Sequence, residues 1–222
     1  MKQMKQMKPF IATLLSLLLL SSPLSSQQNR DEAKNLLDKA YSTFEASGGV
    51  KLTFRSDITD SDGTSSAQQS GKACMKGDKF KLETEELDIW FDGKTQWVLI
   101  KEANEVNISA PTASEISDIS PQALLSGYRN GYVLKTPTTG TVNGRSVHLI
   151  DMTPVNRNRD IKSITAAIDR ENGNIIRIIL YMTDGMKNVI DISGYNTNHQ
   201  FDDAMFRFDK NDYPDAEIID LR

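Results

Sequence analysis

The sequence predicts a mainly β protein with a few helices, in which about eleven antiparallel strands form one domain. From Val50 onwards, apolar residues recur with a period of two over most of the chain. Turns rich in glycine, asparagine and aspartate separate these runs at short intervals, which is typical of strands that follow one another in a meander. Only two stretches, near residues 31–47 and 120–131, have the pattern of a helix. A sheet of this size curls towards a barrel or a sandwich.

The first residues are predicted to be a leader peptide and not part of the fold. Three lysines precede an apolar run, Phe10–Leu20, which is too short to span a bilayer comfortably. Small residues follow, and we expect cleavage near Ser26–Gln27. Residues 1–26 would then be the signal peptide of an exported protein, and residues 27–222 its single domain. An uncleaved anchor is the alternative.

The composition argues against several classes of partner and chemistry. Without the three leader lysines, 23 basic residues stand against 30 acidic ones, a net charge of −7 that disfavours nucleic acid and anionic membranes as standing partners. Cys74 is the only cysteine, so an intramolecular disulfide is impossible. The two histidines, His148 and His199, are too few for a histidine-based metal site without carboxylates. Because no motif of a nucleophile and its base is present, we expect no enzyme, no metal and no cofactor.

The first element of the mature chain is predicted to be a helix. Its apolar residues form one stripe with a period of 3.6, and Gly48-Gly49 ends it. The polar side carries acidic residues as well as lysines, which favours packing on a sheet over lying at a membrane surface. The stripe consists of Ala33, Leu36, Leu37, Ala40, Tyr41 and Phe44.

The segment DIWFDGKTQWVLI, residues 88–100, is predicted to be a hairpin. Asp92-Gly93 is a strong turn signal, and a loop with an even number of residues would place Trp90 and Trp97 on the same face. The other face is apolar too, and residues 175–182 show the same pattern. One explanation is that one face of the sheet lines an apolar cavity that binds acyl chains. The alternative is that both faces belong to the core of a sandwich.

A helical insert and further strands complete the predicted fold. Ser120 is the expected N-cap of a short helix that ends just before Gly131. The segments AMFRFD and AEIIDL are predicted to be short final strands. The remaining strands are expected near residues 132–136, 145–152, 162–169, 175–182 and 187–194.

Several segments together resemble the LolA family of periplasmic carriers of outer-membrane lipoproteins. They are Met75–Phe80 with Asp92–Trp97, SPQALLSGY at Ser120–Tyr128, and Phe206–Asp220. The order of helix, strands, insert and strands is similar over essentially the whole mature chain. The resemblance implies an unclosed antiparallel β-barrel of about eleven strands, with a helical lid over an apolar cavity.

The resemblance also implies which residues take part in binding. Leu124, Leu125 and Tyr128 would belong to the lid. Lys76 stands close to where the family has an arginine that contacts the lid, and it is the candidate latch. The residues expected to line the acyl cavity are Leu52, Phe54, Phe80, Leu82, Trp90, Trp97, Leu99, Ile176, Ile178 and Leu180.

The partners implied by the resemblance are lipidated proteins, which would bind through their acyl chains. An ABC transporter of the inner membrane would release them, and an outer-membrane acceptor would receive them from this carrier, which is expected to be a monomer in the periplasm. The alternative is a module of the same fold that senses lipids or lipoproteins within an envelope signalling complex.

Overall fold

In the computed structural model, a single sheet forms most of the molecule. The structure describes residues 24–112, 115, 128–129, 131–156, 160–197 and 199–222, with side chains from residue 31 onwards. In chain order the elements are α1 (Leu24–Glu45), β1 (Val50–Thr59), β2 (Ser65–Lys76), β3 (Lys79–Thr84), β4 (Leu87–Phe91), β5 (Gln96–Ile100), β6 (Glu105–Ser109), β7 (Tyr132–Leu134), β8 (Thr138–Val142), β9 (Arg145–Pro154), β10 (Ile161–Asp169), β11 (Ile175–Met182), β12 (Lys187–Asn196), two short 3-10 helices at Asp203–Phe206 and Lys210–Asp212, and β13 (Glu217–Asp220).

The thirteen strands of the described chain form one sheet that does not close. The neighbour order is β13-β6-β5-β4-β3-β2-β1-β12-β11-β10-β9-β7, and β8 also pairs with β9. Every pair is antiparallel except β13, which runs parallel to β6. The structure therefore confirms a mainly β, unclosed sheet. The number of strands was underestimated in part because β8, with the sequence TTGTV, lacks an apolar alternation.

The helix α1 lies across one face of the sheet, here called the inner face. Its stripe is buried as predicted, since Ala33, Leu37 and Phe44 are at most 5% exposed. The stripe contacts β9–β11 near its amino-terminal half and β1–β4 near its carboxyl-terminal half, so the sheet wraps around the helix. Full burial of one such large side chain stabilises the fold by about 1.5–3 kcal/mol.

The opposite face of the sheet, the outer face, carries two separate apolar clusters. One lies on β4–β6 and is covered by residues 199–216, here called the C-terminal segment. The other joins β8 to β9–β11. Both faces of the sheet are therefore covered in part, which explains the two-sided apolar pattern of the strands.

The chain after β12 departs from the prediction in one respect. The prediction that AMFRFD forms a strand is wrong, because residues Asp203–Phe206 form a 3-10 helix. The carboxylate of Asp202 accepts a hydrogen bond from the N–H of Ala204, which caps this turn, and Phe206 is fully buried. Three apolar residues alone cannot distinguish a strand from a helical turn. The prediction of AEIIDL as a strand is confirmed by β13.

Candidate functional site

Apolar side chains continue across the inner face beyond the residues that α1 buries. The strand register places Leu52, Leu82, Ile89 and Val98 in one row across β1–β5. Leu52 is buried, but the other three are only partly buried. We call the partly buried residues of this region the inner-face patch: Phe54, Leu82, Leu87, Ile89, Val98 and Ile100.

The ten residues predicted to line the acyl cavity do not lie on one face. Six are on the inner face, where they form part of the core or the inner-face patch: Leu52, Phe54, Phe80, Leu82, Ile178 and Leu180. The other four belong to the two outer-face clusters: Trp90, Trp97, Leu99 and Ile176.

The two tryptophans hold the C-terminal segment against the sheet. Trp90 and Trp97 are direct cross-strand partners, as the even hairpin loop predicts. Trp90 is 3% exposed, and the rings of Phe208 and Tyr213 pack edge-on against it at centroid distances of 5.6 and 5.8 Å. This apolar area is therefore already occupied by the protein itself.

A β-bulge explains why Ile176 and Ile178 lie on opposite faces. Ala167 pairs with Arg177 and Ile168 pairs with Ile175, so Ile176 is an extra residue without a cross-strand partner. An extra residue reverses the alternation of side chains along a strand. The period of two across residues 175–182 therefore predicted that Ile176 and Ile178 share one face of the sheet. In the structure they lie on opposite faces.

Of the three predicted lid residues, Leu124 and Leu125 lie outside the described residues, whereas Tyr128 is described. Tyr128 is 2% exposed within the core that α1 forms with β9–β11, and its hydroxyl donates a hydrogen bond to the carboxylate of Asp38 on α1. Burial and this hydrogen bond raise the pKa of Tyr128 to about 12.

Arg129 strengthens the same anchor. Its Nε lies 3.3 Å from Oδ1 of Asp38, and its guanidinium carbon lies 4.7 Å from the centroid of the Tyr41 ring. Burial alone would raise the pKa of Asp38. Hydrogen bonds from Lys34, Tyr128 and Arg129 lower this pKa by a larger amount, so the net shift is downward. This network is not predictable from local sequence patterns, because its members are distant in the chain and Asp38 lies outside the apolar stripe of α1.

A capping box lies where the insert begins. The N–H and the hydroxyl of Thr112 lie 2.7 and 2.8 Å from a carboxylate oxygen of Glu115, and the N–H of Glu115 lies 3.4 Å from the Thr112 hydroxyl. The hydrogen bond from the Thr112 N–H lowers the pKa of Glu115. This reciprocal pattern defines the capping box, and the predicted N-cap Ser120 lies outside the described residues.

The predicted latch, Lys76, contacts the C-terminal segment. Its Nζ lies 2.7 Å from the carbonyl oxygen of Phe201 and 2.9 Å from Oδ1 of Asp203. Lys79 binds the other oxygen of Asp203, and the two lysines hold the pKa of that carboxyl at about 2. Lys76 thus joins the β2–β3 hairpin to the C-terminal segment, and its contact with a lid stays a prediction.

A groove of about 900 Å³ on the outer face is too polar to suit hydrocarbon. Its charged residues include Arg55, Lys72, Lys101, Glu83 and Asp191, which lie on β1–β3 and β12 and just after β5. Burying an acyl chain there would desolvate these charges at considerable cost. The inner-face patch is therefore the better candidate for an apolar ligand.

The described part of the chain contains few groups with catalytic potential. No group of three or more His, Cys, Asp and Glu side chains in it could hold a metal ion. The thiol of Cys74 is buried in β2, and burial raises its pKa, which disfavours the reactive thiolate. Among the described helices, none has both the length and the apolar character needed to cross a membrane.

An unclosed sheet that wraps around one helix and leaves apolar side chains partly exposed on its inner face defines a half-barrel. The family model described as outer membrane lipoprotein carrier protein LolA matches residues 24–182. The chain belongs to this family, as its sequence motifs indicated. The family is named for a carrier protein, which agrees with binding and not catalysis as the role of the fold.

Solved structures share this fold at low sequence identity. An uncharacterised conserved protein from Thermus thermophilus has a TM-score of 0.58 and 10% identity, over 85% of this chain and 99% of that one. A DUF1329 family protein from Desulfovibrio piger has a TM-score of 0.50 and 12% identity, over 81% and 97% of the two chains. A LolA superfamily protein from Nitrosomonas europaea is more distant, with a TM-score of 0.45 and 12% identity over 79% and 97%. No curated protein sequence matches the chain significantly.

Proposed function

We propose that this protein is a periplasmic carrier that binds the acyl chains of lipoproteins on the inner face of its sheet and moves them from the inner to the outer membrane. The observation that carries the proposal is the inner-face patch, which leaves apolar side chains of four strands only partly buried. Covering such area with hydrocarbon gains about 25 cal/mol per Å². Membership of a family named for lipoprotein carriage supports acyl chains as the hydrocarbon that binds there.

Binding in this proposal begins at the patch and extends towards α1. Phe54, Leu82 and Val98 are partly accessible and would contact the chain first. Phe80 and Ile178 are 3% exposed beneath α1, so they would be reached only after the helix shifts. Hydrocarbon requires area and dryness but no hydrogen bonds, so a site of this kind accepts acyl chains of many lipoproteins.

The carrier cycle needs no covalent chemistry. An ATP-driven transporter of the inner membrane would place the released lipoprotein on the carrier, and an acceptor at the outer membrane would remove it. Transfer in one direction requires an affinity high enough to keep the acyl chains from water but lower than that of the acceptor. Export by the leader at residues 1–26 would place the monomeric carrier between the two membranes.

The proposal can be tested with the mature chain, residues 27–222. Lipoproteins should co-purify with the protein from the periplasm and be identified by mass spectrometry. In solution, the protein should bind a fluorescent acyl probe, and Leu82→Ser with Val98→Ser should weaken binding several-fold because both side chains lie in the inner-face patch.

The matched control is Ile218→Ser with Leu221→Ser, two exposed apolar side chains in or next to β13. This pair should leave probe binding unchanged, and circular dichroism should show that all variants are folded. Equal binding by the patch variant and the native protein would contradict the proposed site. Absence of any acyl binding by the native protein would contradict the carrier function itself.

A further inference from the structure

Exposed apolar side chains of the described residues are concentrated at one rim of the sheet. This rim consists of β7, the ends of β9 and β11, and the starts of β10 and β12; we call it the β9–β12 rim. Four of the six large apolar residues that are exposed in the described chain lie there, at 36–63% exposure: Val133, Val155, Tyr181 and Met186. Such a concentration marks an interaction surface more often than isolated exposed residues do.

A groove of about 530 Å³ lies at the same rim. Among the described residues, its lining contains two lysines, three hydroxyl groups and no acidic residue. The lining residues are Lys135, Thr153, Pro154, Ile161, Lys162, Ser163 and Thr183. Lysines and hydroxyls without carboxylates form a surface that complements a phosphate.

The strand register brings the apolar and polar groups together. Val133 is the cross-strand partner of Thr153, and Tyr181 is the partner of Ser163. The register shifts between Ile161 and Ser163, which makes Lys162 an extra residue next to the groove. Exposed apolar side chains therefore flank the hydroxyls of the groove.

Three described acidic residues lie near the rim, Asp151, Asp160 and Asp184, and only Asp151 forms an ion pair with one of its lysines. Lys135 contacts Asp151 at 3.4 Å, but both side chains are about half exposed or more, so this pair is weak. Asp184 accepts a hydrogen bond from the N–H of Met186 within its own turn. None of the ion pairs found within the described residues involves Lys162 or Lys187.

We propose that the β9–β12 rim docks this protein on the surface of a membrane that contains anionic phospholipids. Lipid phosphates would accept hydrogen bonds from the lysines and hydroxyls of the groove, while the four apolar side chains enter the interface between headgroups. Tyr181 suits this position because tyrosine prefers the boundary between water and hydrocarbon. The proposal does not depend on acyl-chain binding at the inner face.

The overall charge of the chain makes this contact transient. A net charge of −7 for the mature chain repels an anionic surface at long range. Salt screens that repulsion beyond about 8–10 Å, whereas the lysines of the groove would act at contact distance. Short encounters with a membrane suit a protein that must also leave it.

The test measures the binding of the mature chain to sedimented vesicles. The native protein should bind vesicles of phosphatidylcholine mixed with phosphatidylglycerol more strongly than vesicles of phosphatidylcholine alone. Lys135→Gln with Lys162→Gln should lower the partition coefficient about tenfold, because each lysine near an anionic surface contributes to binding. Val133→Ser with Tyr181→Ser should also lower it.

Two matched controls change the same chemistry elsewhere. Lys72→Gln with Lys94→Gln removes two exposed lysines away from the rim, and Ile218→Ser with Leu221→Ser removes two exposed apolar residues at the other end of the strand order. Both should bind vesicles like the native protein. Equal loss in rim and control variants, or native binding without preference for the anionic vesicles, overturns the proposal.

Acyl-probe binding separates this inference from the proposed function. The rim variants should bind the acyl probe like the native protein, since no substituted side chain belongs to the inner-face patch. If the native protein binds vesicles but not the acyl probe, the docking proposal is supported and the carrier function is contradicted. A rim that instead served only a protein partner would leave vesicle binding unchanged in the rim variants, which contradicts membrane docking.

Discussion

The hydroxyl of Tyr128 donates a hydrogen bond to Asp38, a residue of α1 that lies 90 positions earlier in the chain. The bond joins Tyr128 to the flank of the helix, beside its apolar stripe. α1 therefore has two roles, because its stripe fills the inner face of the sheet while its flank holds Tyr128 and Arg129.

We expect Tyr128→Phe to lower the free energy of unfolding by about 1 kcal/mol, the usual net value of one hydrogen bond. The phenylalanine ring keeps the packing of the buried site, and Asp38 keeps its contacts with Lys34 and Arg129. Chemical denaturation of the mature chain measures the change. Tyr181→Phe, on an exposed ring, is the control and should have no effect; a loss of equal size there would contradict the role of the Asp38 contact.

The raised pKa of Tyr128 predicts that the stabilisation due to this residue decreases at alkaline pH. Its pKa is about 12 in the folded protein against an ordinary value of 10.0. Because the folded-state pKa is raised, the stabilisation is fully present below pH 10 and is lost as the pH rises towards 12. The difference in unfolding free energy between the native protein and Tyr128→Phe should therefore be constant at neutral pH and shrink between these values. A difference in unfolding free energy that stayed constant up to pH 12 would contradict the raised pKa of Tyr128.

Gly71 allows the Phe54 ring to lie across β2. A Cβ atom at this position would come within 2.4 Å of the carbonyl oxygen of Glu83 and 2.6 Å of the Phe54 ring. Gly71→Ala should therefore cost about 1–3 kcal/mol of stability, as overpacking does. Gly131→Ala is the control, because a Cβ there meets no atom of the described residues within 4 Å. Similar stability of the two variants in chemical denaturation would show that β1 and β2 are not packed in this way.

Local patterns were sufficient to predict the helix and most strands. The stripe of α1 depends only on residues within the helix, and the pairing of Trp90 with Trp97 depends only on the hairpin loop between them. Such features are determined by near neighbours, so a single sequence contains the required information. The family was recognisable for the same reason, since its motifs lie in these local elements.

The face on which each side chain lies could not be predicted in the same way. Trp90 and Leu82 are both apolar residues on adjacent strands, and only the covering element distinguishes their faces. That element is the C-terminal segment for Trp90, more than 100 residues later in the chain. The parallel pairing of β13 with β6 also depends on contacts between distant parts of the chain. The sequence therefore predicted the apolar character of the candidate site, but only some of the residues that form it.

The positions of the two tryptophans give a direct test of which face binds acyl chains. Bromine quenches tryptophan emission only at short range, and both Trp90 and Trp97 lie on the outer face beneath the C-terminal segment. A brominated fatty acid bound at the inner-face patch should therefore displace a fluorescent acyl probe and leave most of the tryptophan emission unchanged.

A tryptophan placed on the inner face supplies the matched comparison. Val98→Trp adds a reporter to the inner-face patch, where the side chain at position 98 is partly buried and is the cross-strand partner of Ile89. The brominated fatty acid should quench this added emission as it saturates the protein. Strong quenching of the native tryptophans, together with weak quenching of the added one, would place the ligand on the outer face. In that case the polar groove or the cover formed by the C-terminal segment would have to open, because Trp90 itself is only 3% exposed.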